Sequence, residues 1–537
     1  MTLQSPTAAS HMSDPSAAAN PYDEVPYPSK PLPPSHPDRL AAVATLFGMQ
    51  PPAVDRCRVL ELGCATGGNL IPMAERHPQS TFVGVDYSQV QIGAARRMAD
   101  ALSLSNLELR QASITDLGDE LGKFDYIISH GVFSWVAPPV QDKILELCRN
   151  LLHEHGVAYV SYNIFPGWHL RSIIRELLWR HAPPGGDTGE RLARARSLLE
   201  FLSTALARQQ SPYAELLKRQ VDAIRGQPEG YLCHEDFETD NHPLYFHEFV
   251  ARAAAGGLQY LGEAALATMF ISSFGPAIER QVMRLSDDAI SAEQHLDVLR
   301  NRAFRQTLLC HEGIPLERHV TPDRLKTLYV YGWLRPQNVP PDLKTTAVEP
   351  FSDPHGRTIS SPAPVVKAAL YHLANQWPRA VSFDELVSAA ARLLGNGSPA
   401  VISPFEREGL GDNIVQGIAS GLIEPTSAPD SFVSSVSSQP RVSLLSRLEA
   451  RSSKVVTNRR HQSVTLDAVT QNIIRHLDGE HDHESLLRGL VASVERGDVS
   501  ILVGGIPATS GEAVSGVLHD TLQQSLRTLA ANALLVA

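Results

Sequence analysis

In VLELGCATGGNL, from Val59 to Leu70, a hydrophobic run breaks into a glycine turn and then into a helix-forming stretch. Two chemistries fit these letters. Read as G-x-A-x-x-G, from Gly63 to Gly68, the turn is a dinucleotide fingerprint; read as E-x-G-x-A-x-G, from Glu61 to Gly67, it is a site for S-adenosylmethionine. Asp86, which closes the next run TFVGVD, is suited to accept both hydroxyls of a ribose, and either cofactor carries one. Glu61 separates the two readings. A pyrophosphate on a helix N-terminus is anionic, and a nearby carboxylate repels it. S-adenosylmethionine brings a sulfonium and an ammonium, both cationic, which the same carboxylate attracts. The plain alternatives are a strand-end charge in solvent for Glu61 and a helix N-terminal acid for Asp86. The residues expected to hold the donor are Glu61, Gly63, Ala65, Gly67, Asn69 and Asp86, with Ser113 and Ile114 beside the adenine and Asp116 a candidate for its amino group.

These residues need a scaffold that brings two strand ends together. From Arg58 to Asn163 strands and helices alternate, which predicts an α/β fold with a doubly wound, Rossmann-like parallel sheet. RVLELG, TFVGVD, LELRQA, FDYIIS and GVAYVSYN are the five strands. Ser88 and Gln91 form a capping box, after which Ile92, Ala95, Ala99 and Leu102 share one helical face. The helix before the fifth strand opens at Pro138-Pro139 and is expected to stop at Gly156.

The remainder divides by composition. Residues 1–20 are expected to be disordered, 21–50 to form a lid over the cofactor, and 51–182 to form the α/β domain. Residues 183–335 read as a helical domain without clear strands before about 330. Pro-rich 336–364 and Ser-rich 431–441 read as linkers. The segments they bound, 365–430 and 442–537, each hold a helix, a polar break, an acidic second helix and a later apolar helix with a hydrophobic tail. That layout suits two winged-helix-like modules. Their last helices carry no basic residue in the first and only Arg527 in the second, which points to protein rather than DNA contact.

Charge and cysteine usage narrow the partners. The 537 residues hold 47 Lys+Arg against 58 Asp+Glu, and the net charge of −11 would repel a polyanion, so no nucleic-acid partner is expected. Five scattered cysteines without C-x-x-C spacing suggest neither disulfides nor a zinc ribbon. No run reaches the ~18 apolar residues of a membrane helix, and the first twenty lack the apolar core of a secretory signal. The expectation is a cytoplasmic protein without membrane insertion. Cys233, His234, His242 and His247, and separately His481 and His483, fit no zinc spacing, so no metal is expected.

Four separated stretches, LELGCATGGNLIPMA, YDEVPYPSKPLPPSHPDRLAAVATLFGM, SYNIFPGWH and HEDFETDNHPLYFHEFVARAAAGGLQYLGEA, resemble class I methyltransferases that carry a methyltransferase regulatory domain. The best-known members of that family are the bacterial outer-membrane-protein lysine methyltransferases. The resemblance runs from about Tyr22 to about residue 330 and more loosely beyond. It implies S-adenosylmethionine as methyl donor and a protein lysine as acceptor, with a surface or envelope protein as the partner. Methylation of a small molecule or peptide, and a donor-binding adaptor without turnover, are the alternatives; an aromatic acceptor loop argues against the adaptor. The family's turn commonly has Gly where this chain has Ala65, which is small enough to keep the loop tight.

A lysine must be neutral to accept a methyl, and holding it so at pH 7 costs about 4–5 kcal/mol. An apolar, aromatic channel lowers that cost. Two loops can supply one: HGVFSWV offers His130, Phe133 and Trp135, and YNIFPGWH offers Tyr162, Asn163, Phe165, Trp168 and His169. Phe133 and Phe165 suit a core equally well. His130 also borders the donor, and His130 or His169 could take the amine's proton. In the lid, Tyr22, Tyr27, His36 and Arg39 are candidates for the donor's amino-acid end, with Arg39 on its carboxylate; a helix packed on the sheet with Arg39 in solvent is the alternative.

Overall fold

The computed structural model describes residues 29–183, 187–503, 506–508 and 512–537. The expected disordered N-terminus and the candidates Tyr22 and Tyr27 lie outside the described residues. One seven-stranded sheet organises the donor-binding half, in the order β3-β2-β1-β4-β5-β7-β6. Its strands are β1 (Arg58–Leu62), β2 (Thr81–Asp86), β3 (Leu107–Gln111), β4 (Phe124–Ser129), β5 (Leu152–Asn163), β6 (Leu258–Glu263) and β7 (Phe304–His311). The first five are parallel, as the alternating sequence predicts, and β7 runs antiparallel to both β5 and β6. Five helices matter for the site: α1 (Pro37–Leu46), α2 (Leu70–Arg76), α3 (Gln89–Ala101), α4 (Pro138–Leu151) and α5 (Gly167–His181). Ser88 caps α3 by accepting the Gln91 N–H at 3.1 Å.

β6 and β7 correct the expectation of an all-helical stretch over 183–335. They complete the sheet, and the helices between β5 and β6 are an insertion within it. The physical cause lies in β5, which is buried at every residue from Gly156 to Asn163 and cannot be an edge. β7 covers it, pairing Ala158 through Asn163 with Leu309 through Phe304. β7 itself does not read as a strand because it opens on Phe304 and Arg305, the latter a fully buried guanidinium balanced by Glu263, Glu293 and Asp297 at 2.8–2.9 Å. The helix before β5 also ends earlier than expected, at Leu151 rather than Gly156, and β5 starts at Leu152.

The helical part of the insertion has its own core. Ile174 and Leu178 of α5 meet Leu199 and Val221 of the helices Thr188–Leu206 and Pro212–Arg225. The stretch 336–364 is not a free linker. Strands Arg335–Pro336, Glu349–Ser352 and Thr358–Ser361 form a three-stranded sheet that buries Phe351 completely. Pro336 lies on an edge strand, while Pro350 lies in the central one, where its carbonyl accepts the Gln337 N–H at 3.0 Å. The first C-terminal module borrows a strand from before this stretch: Tyr329–Tyr331 lies between Val381–Ser382 and Glu424–Thr426. Its helices Pro364–Gln376, Phe383–Leu394 and Pro404–Ala419 share one hydrophobic core with α1 and the sheet.

The second module has its own core, in which Val456, Ile473, Leu490 and Leu526 meet. It joins the helices Leu444–Ser452, Ala468–Ile474, His483–Glu495 and Glu512–Ala531 to a hairpin of Val455–Thr457 with Ser463–Thr465. Residues 431–440 between the modules hold neither helix nor strand, and Val433 and Val436 pack against the second module's core. No helix among the described residues is long and apolar enough to cross a membrane.

Candidate functional site

The glycine turn is held to β2 by backbone bonds from Gly63 and Cys64 to the Val85 carbonyl, at 2.8 and 3.0 Å. Gly63 and Gly67 have φ of 78° and 75°, and Ala65 has φ of 48°. A side chain on Gly63 would come within 2.4 Å of Val132, so β1's turn and the loop after β4 approach too closely for any other residue. Ala65 takes a left-handed conformation at an estimated ~1 kcal/mol. That conformation aims the Ala65 N–H at Asp86 Oδ2, 2.8 Å away, while Asp86 Oδ1 accepts the Ser88 N–H at 2.9 Å. The carboxylate at the end of β2 is thereby fixed in orientation.

Glu61 is not turned to solvent. It is 3% exposed, its Oε1 accepts Asn69 Nδ2 at 2.7 Å, and its Oε2 has no partner. Burial pushes its pKa up to about 8; the Asn69 bond opposes this and the Asp86 charge adds to it. A buried carboxyl with one unmatched oxygen beside a glycine turn fits the ammonium end of S-adenosylmethionine, which would draw the proton off. Between the ordinary Glu value and about 8 the folded state binds the extra proton, so Glu61 costs stability as pH rises through that window. Donor binding at pH 7 is therefore expected to release close to one proton. Calorimetry in buffers of unequal ionisation heat should give unequal binding heats for the wild type and equal heats for Glu61→Gln. Equal wild-type heats would remove Glu61 from the donor's cationic end.

The N-terminal segment crosses this turn, but not with the residues expected. Ser29 Oγ accepts the Gly68 N–H at 2.8 Å, and a side chain on Gly68 would strike the Ser29 backbone at 2.6 Å. The helix α1 behind it is core, with Leu40, Val43 and Leu46 fully buried. Arg39 bonds the Ala264 carbonyl at 2.9 Å and pairs with Glu424, so it is committed elsewhere and does not hold the donor's carboxylate. His36 Nδ1 accepts the Asp38 N–H as the cap of α1, and its ring packs against His77 and His461 rather than the donor loop. Near the expected adenine position, Ser113 caps the short helix Ile114–Asp116; Ser113 and Ile114 are half-buried and Asp116 is exposed.

The acceptor candidates divide by the two-residue period of β5. Tyr162 faces the core, stacked on Phe249 at 3.9 Å with its hydroxyl on Thr307 Oγ1 at 2.9 Å, so it does not line a channel. Phe133 is buried in the same cluster. Tyr159, Ser161 and Asn163 share the opposite period. Tyr159 OH lies 2.8 Å from His130 Nδ1, Ser161 Oγ accepts the Gly131 N–H at 2.8 Å, and Asn163 Nδ2 donates to Asn241 Oδ1 at 3.1 Å. His130 stacks with Tyr159 and meets the edge of Phe304, and burial with the Lys30 charge lowers its pKa to about 4.

Phe165, His169 and Tyr245 form a second aromatic group, with Phe165 and His169 stacked at 4.2 Å and His169 exposed. Trp168 is 2% exposed and edge-on to the half-buried Trp135 at 5.9 Å, so it supports these loops rather than lining an opening. Sequence reasoning missed Ser29, Lys30, Tyr159, Ser161 and Phe304. The polar alternation Tyr159-x-Ser161-x-Asn163 at the carboxyl end of a buried strand was the available signal for two of them; Ser29, Lys30 and Phe304 offered none.

The motif around His234, His242 and His247 is structural. Asp236, fully buried, pairs with Arg171 of α5, and the Asp236 carbonyl accepts Trp179 Nε1. His242 donates its backbone N–H to the Ser134 carbonyl, and His247 bonds Gln294. Among the described residues, the histidine and acid group with atoms within 4.8 Å is instead His36, Asp38 and His77. Arg76 already neutralises Asp38 there at 2.8 Å, which disfavours a cation.

Three family models match the chain: a methyltransferase domain over residues 53–176, a predicted methyltransferase regulatory domain over 228–311, and a PKMT C-terminal winged helix domain over 438–534. Uncharacterized protein RP789 of Rickettsia prowazekii is 34% identical over 524 residues, spanning 96% of this chain and 94% of that protein. The structure of PKMT2 from Rickettsia typhi superposes with a TM-score of 0.87 at 29% identity, covering 95% of this chain and all of the other. The same protein in complex with AdoHcy gives a TM-score of 0.86.

Proposed function

Because the chain belongs to the same family as RP789, S-adenosylmethionine-dependent methyltransferases with a regulatory domain and a PKMT winged helix, we propose that its methyl acceptor is a lysine side chain of a protein. The observation that carries this reading is the whole-length likeness to PKMT2, whose abbreviation denotes a protein lysine methyltransferase. Bound S-adenosylmethionine supplies an electrophilic methyl on a sulfonium. The chain's own residues do the rest. Asp86 takes the ribose hydroxyls, Glu61 takes the ammonium, and the turn from Gly63 to Gly67 allows close backbone approach. The second methyltransferase requirement, a neutral amine, is met by desolvation around His130, Tyr159 and Phe304, with Phe165, His169 and Tyr245 forming an outer aromatic surface for the incoming chain.

His130 does not suit the role of base. His130, at about 4, lies some six pH units below a free lysine ammonium, so proton transfer to it is steeply unfavourable. The amine instead loses its proton to water before entering. The rate at low acceptor concentration should therefore rise about tenfold per pH unit from 6.5 to 8.5, without an inflection near 6.5. His130→Gln should keep that slope, measured as kcat/KM for a peptide acceptor. A histidine-like inflection lost in His130→Gln would establish a base and refute the desolvation account.

The acceptor class is tested by incubating the protein with methyl-labelled donor and an envelope fraction or lysate, then hydrolysing the products. Label in methyl-lysine supports the reading. Label confined to small molecules refutes it.

A further inference from the structure

The second C-terminal module is docked on the donor-binding half. Arg459 pairs with Glu75 of α2 at 2.8 Å, the Leu445 N–H donates to the same carboxylate at 3.2 Å, and Leu445 packs among Cys64, Ile92 and Ala95. Beside Arg459, in the turn of the hairpin that joins Val455–Thr457 to Ser463–Thr465, His461 is 3% exposed and has a φ of 59°. A left-handed histidine is held by its surroundings at some cost, and such positions cluster where geometry matters for function. Its Nε2 lies 2.7 Å from Asn69 Oδ1, 392 residues earlier in the chain.

The direction of this bond follows from its neighbours. The Leu32 N–H can only donate, and it points at the same Asn69 oxygen at 3.0 Å, so that atom is the carbonyl. His461 must then donate through a protonated Nε2. The Asn69 amide, turned the other way, donates to Glu61. One rotatable amide thus joins the winged-helix module to the carboxyl assigned to the donor. Without the His461 bond, Asn69 keeps the Leu32 N–H and Ser35 Oγ contacts from its own N-terminal side and loses its bond to the C-terminal module.

We propose that His461 is a positioning residue for donor binding, which holds Asn69 so that Glu61 meets the donor's cationic end and makes docking of the C-terminal module a condition of full donor affinity. The proposal rests on the assignment of Glu61 to the donor. No family model that matches the catalytic region includes this residue, since that match ends at 176.

The test is a set of calorimetric titrations of the full chain with S-adenosylmethionine. His461→Leu, which fills the space without a donor, should weaken binding about tenfold, and His461→Gln, which keeps an N–H, should stay within about twofold. In an Asn69→Ala background His461→Leu should add nothing further. In turnover, KM for the donor should rise while kcat at saturating donor holds. Wild-type affinity in His461→Leu, equal losses in the Leu and Gln variants, or an undiminished loss in the Asn69→Ala background would overturn the proposal. Glu61→Gln separates the two claims: unchanged donor affinity there sinks the Glu61 assignment and the proposal with it, whereas weakened affinity with no His461 effect sinks only the proposal. If His461→Leu does not fold, Arg459→Ala takes its place, with proteolysis within 431–440 reporting docking; donor affinity that holds while docking is lost overturns the proposal.

Discussion

Asp86→Ala is expected to weaken S-adenosylmethionine binding by at least about 100-fold, because two ribose hydroxyls lose a charged acceptor worth ~1.5–3 kcal/mol each. The loss has a second source in the free protein. Asp86 also receives the Ala65 and Ser88 N–H groups, so its removal releases the left-handed Ala65 and loosens the glycine turn. Asp86→Asn distinguishes the two contributions. One amide oxygen can still accept from Ala65 or Ser88, and the turn should persist, while bidentate recognition of the ribose is lost. The expected order of affinity, read by calorimetry, is wild type, then Asp86→Asn, then Asp86→Ala. An Asp86→Ala protein that binds the donor as the wild type does would refute the placement of the ribose at the end of β2.

The strand ends and turn proposed for the donor were legible because they are local. Glu61, the glycine turn and Asp86 lie at the ends of β1 and β2, and the strands announce themselves by apolar runs closed by turns. The structure added what no run of letters carries: Glu61 is buried with an unmatched oxygen, and its partner Asn69 is held by Leu32 and His461. The acceptor side was less legible for a reason of period. Adjacent residues on a strand face opposite ways, so Tyr162 and Asn163, neighbours in YNIFPGWH, lie on different faces of β5. Picking out aromatics by their proximity in sequence therefore mixed a core tyrosine with an asparagine on the opposite face and passed over Tyr159. β6 and β7 were hidden for another reason. Their polar residues Glu263, Arg305 and Thr307 look like surface in sequence, and only mutual pairing lets them be buried. Arg39 failed in the same way, since its partner Glu424 is supplied by a module far along the chain.

Trp168→Ala is expected to lower both stability and turnover while leaving donor affinity within about twofold. Truncating a buried large aromatic costs about 3–5 kcal/mol through lost contacts and the cavity left behind. Trp168 is such a residue: it is 2% exposed at the start of α5, its ring meets Trp135 edge-on, and the Arg171 guanidinium lies 5.0 Å above it. The damage should spread to the loops it supports. Trp135 belongs to the loop after β4, the one that carries His130, whereas the backbone bond from the Trp168 N–H to the Ile164 carbonyl is retained in the alanine variant. The donor's glycine turn lies against that region at Val132, and its own hydrogen bonds run to β2, so they should survive. His169→Ala, one residue on and exposed, supplies the contrast. It should leave urea unfolding unchanged and reduce turnover by removing the stack on Phe165 and the contact with the Tyr245 hydroxyl. The measurement is the shift of the first urea transition beside kcat and donor affinity for both variants. An unshifted transition in Trp168→Ala would mean that the tryptophan is not the support described, and a large donor-affinity loss would mean that the two sides of the site are not separable.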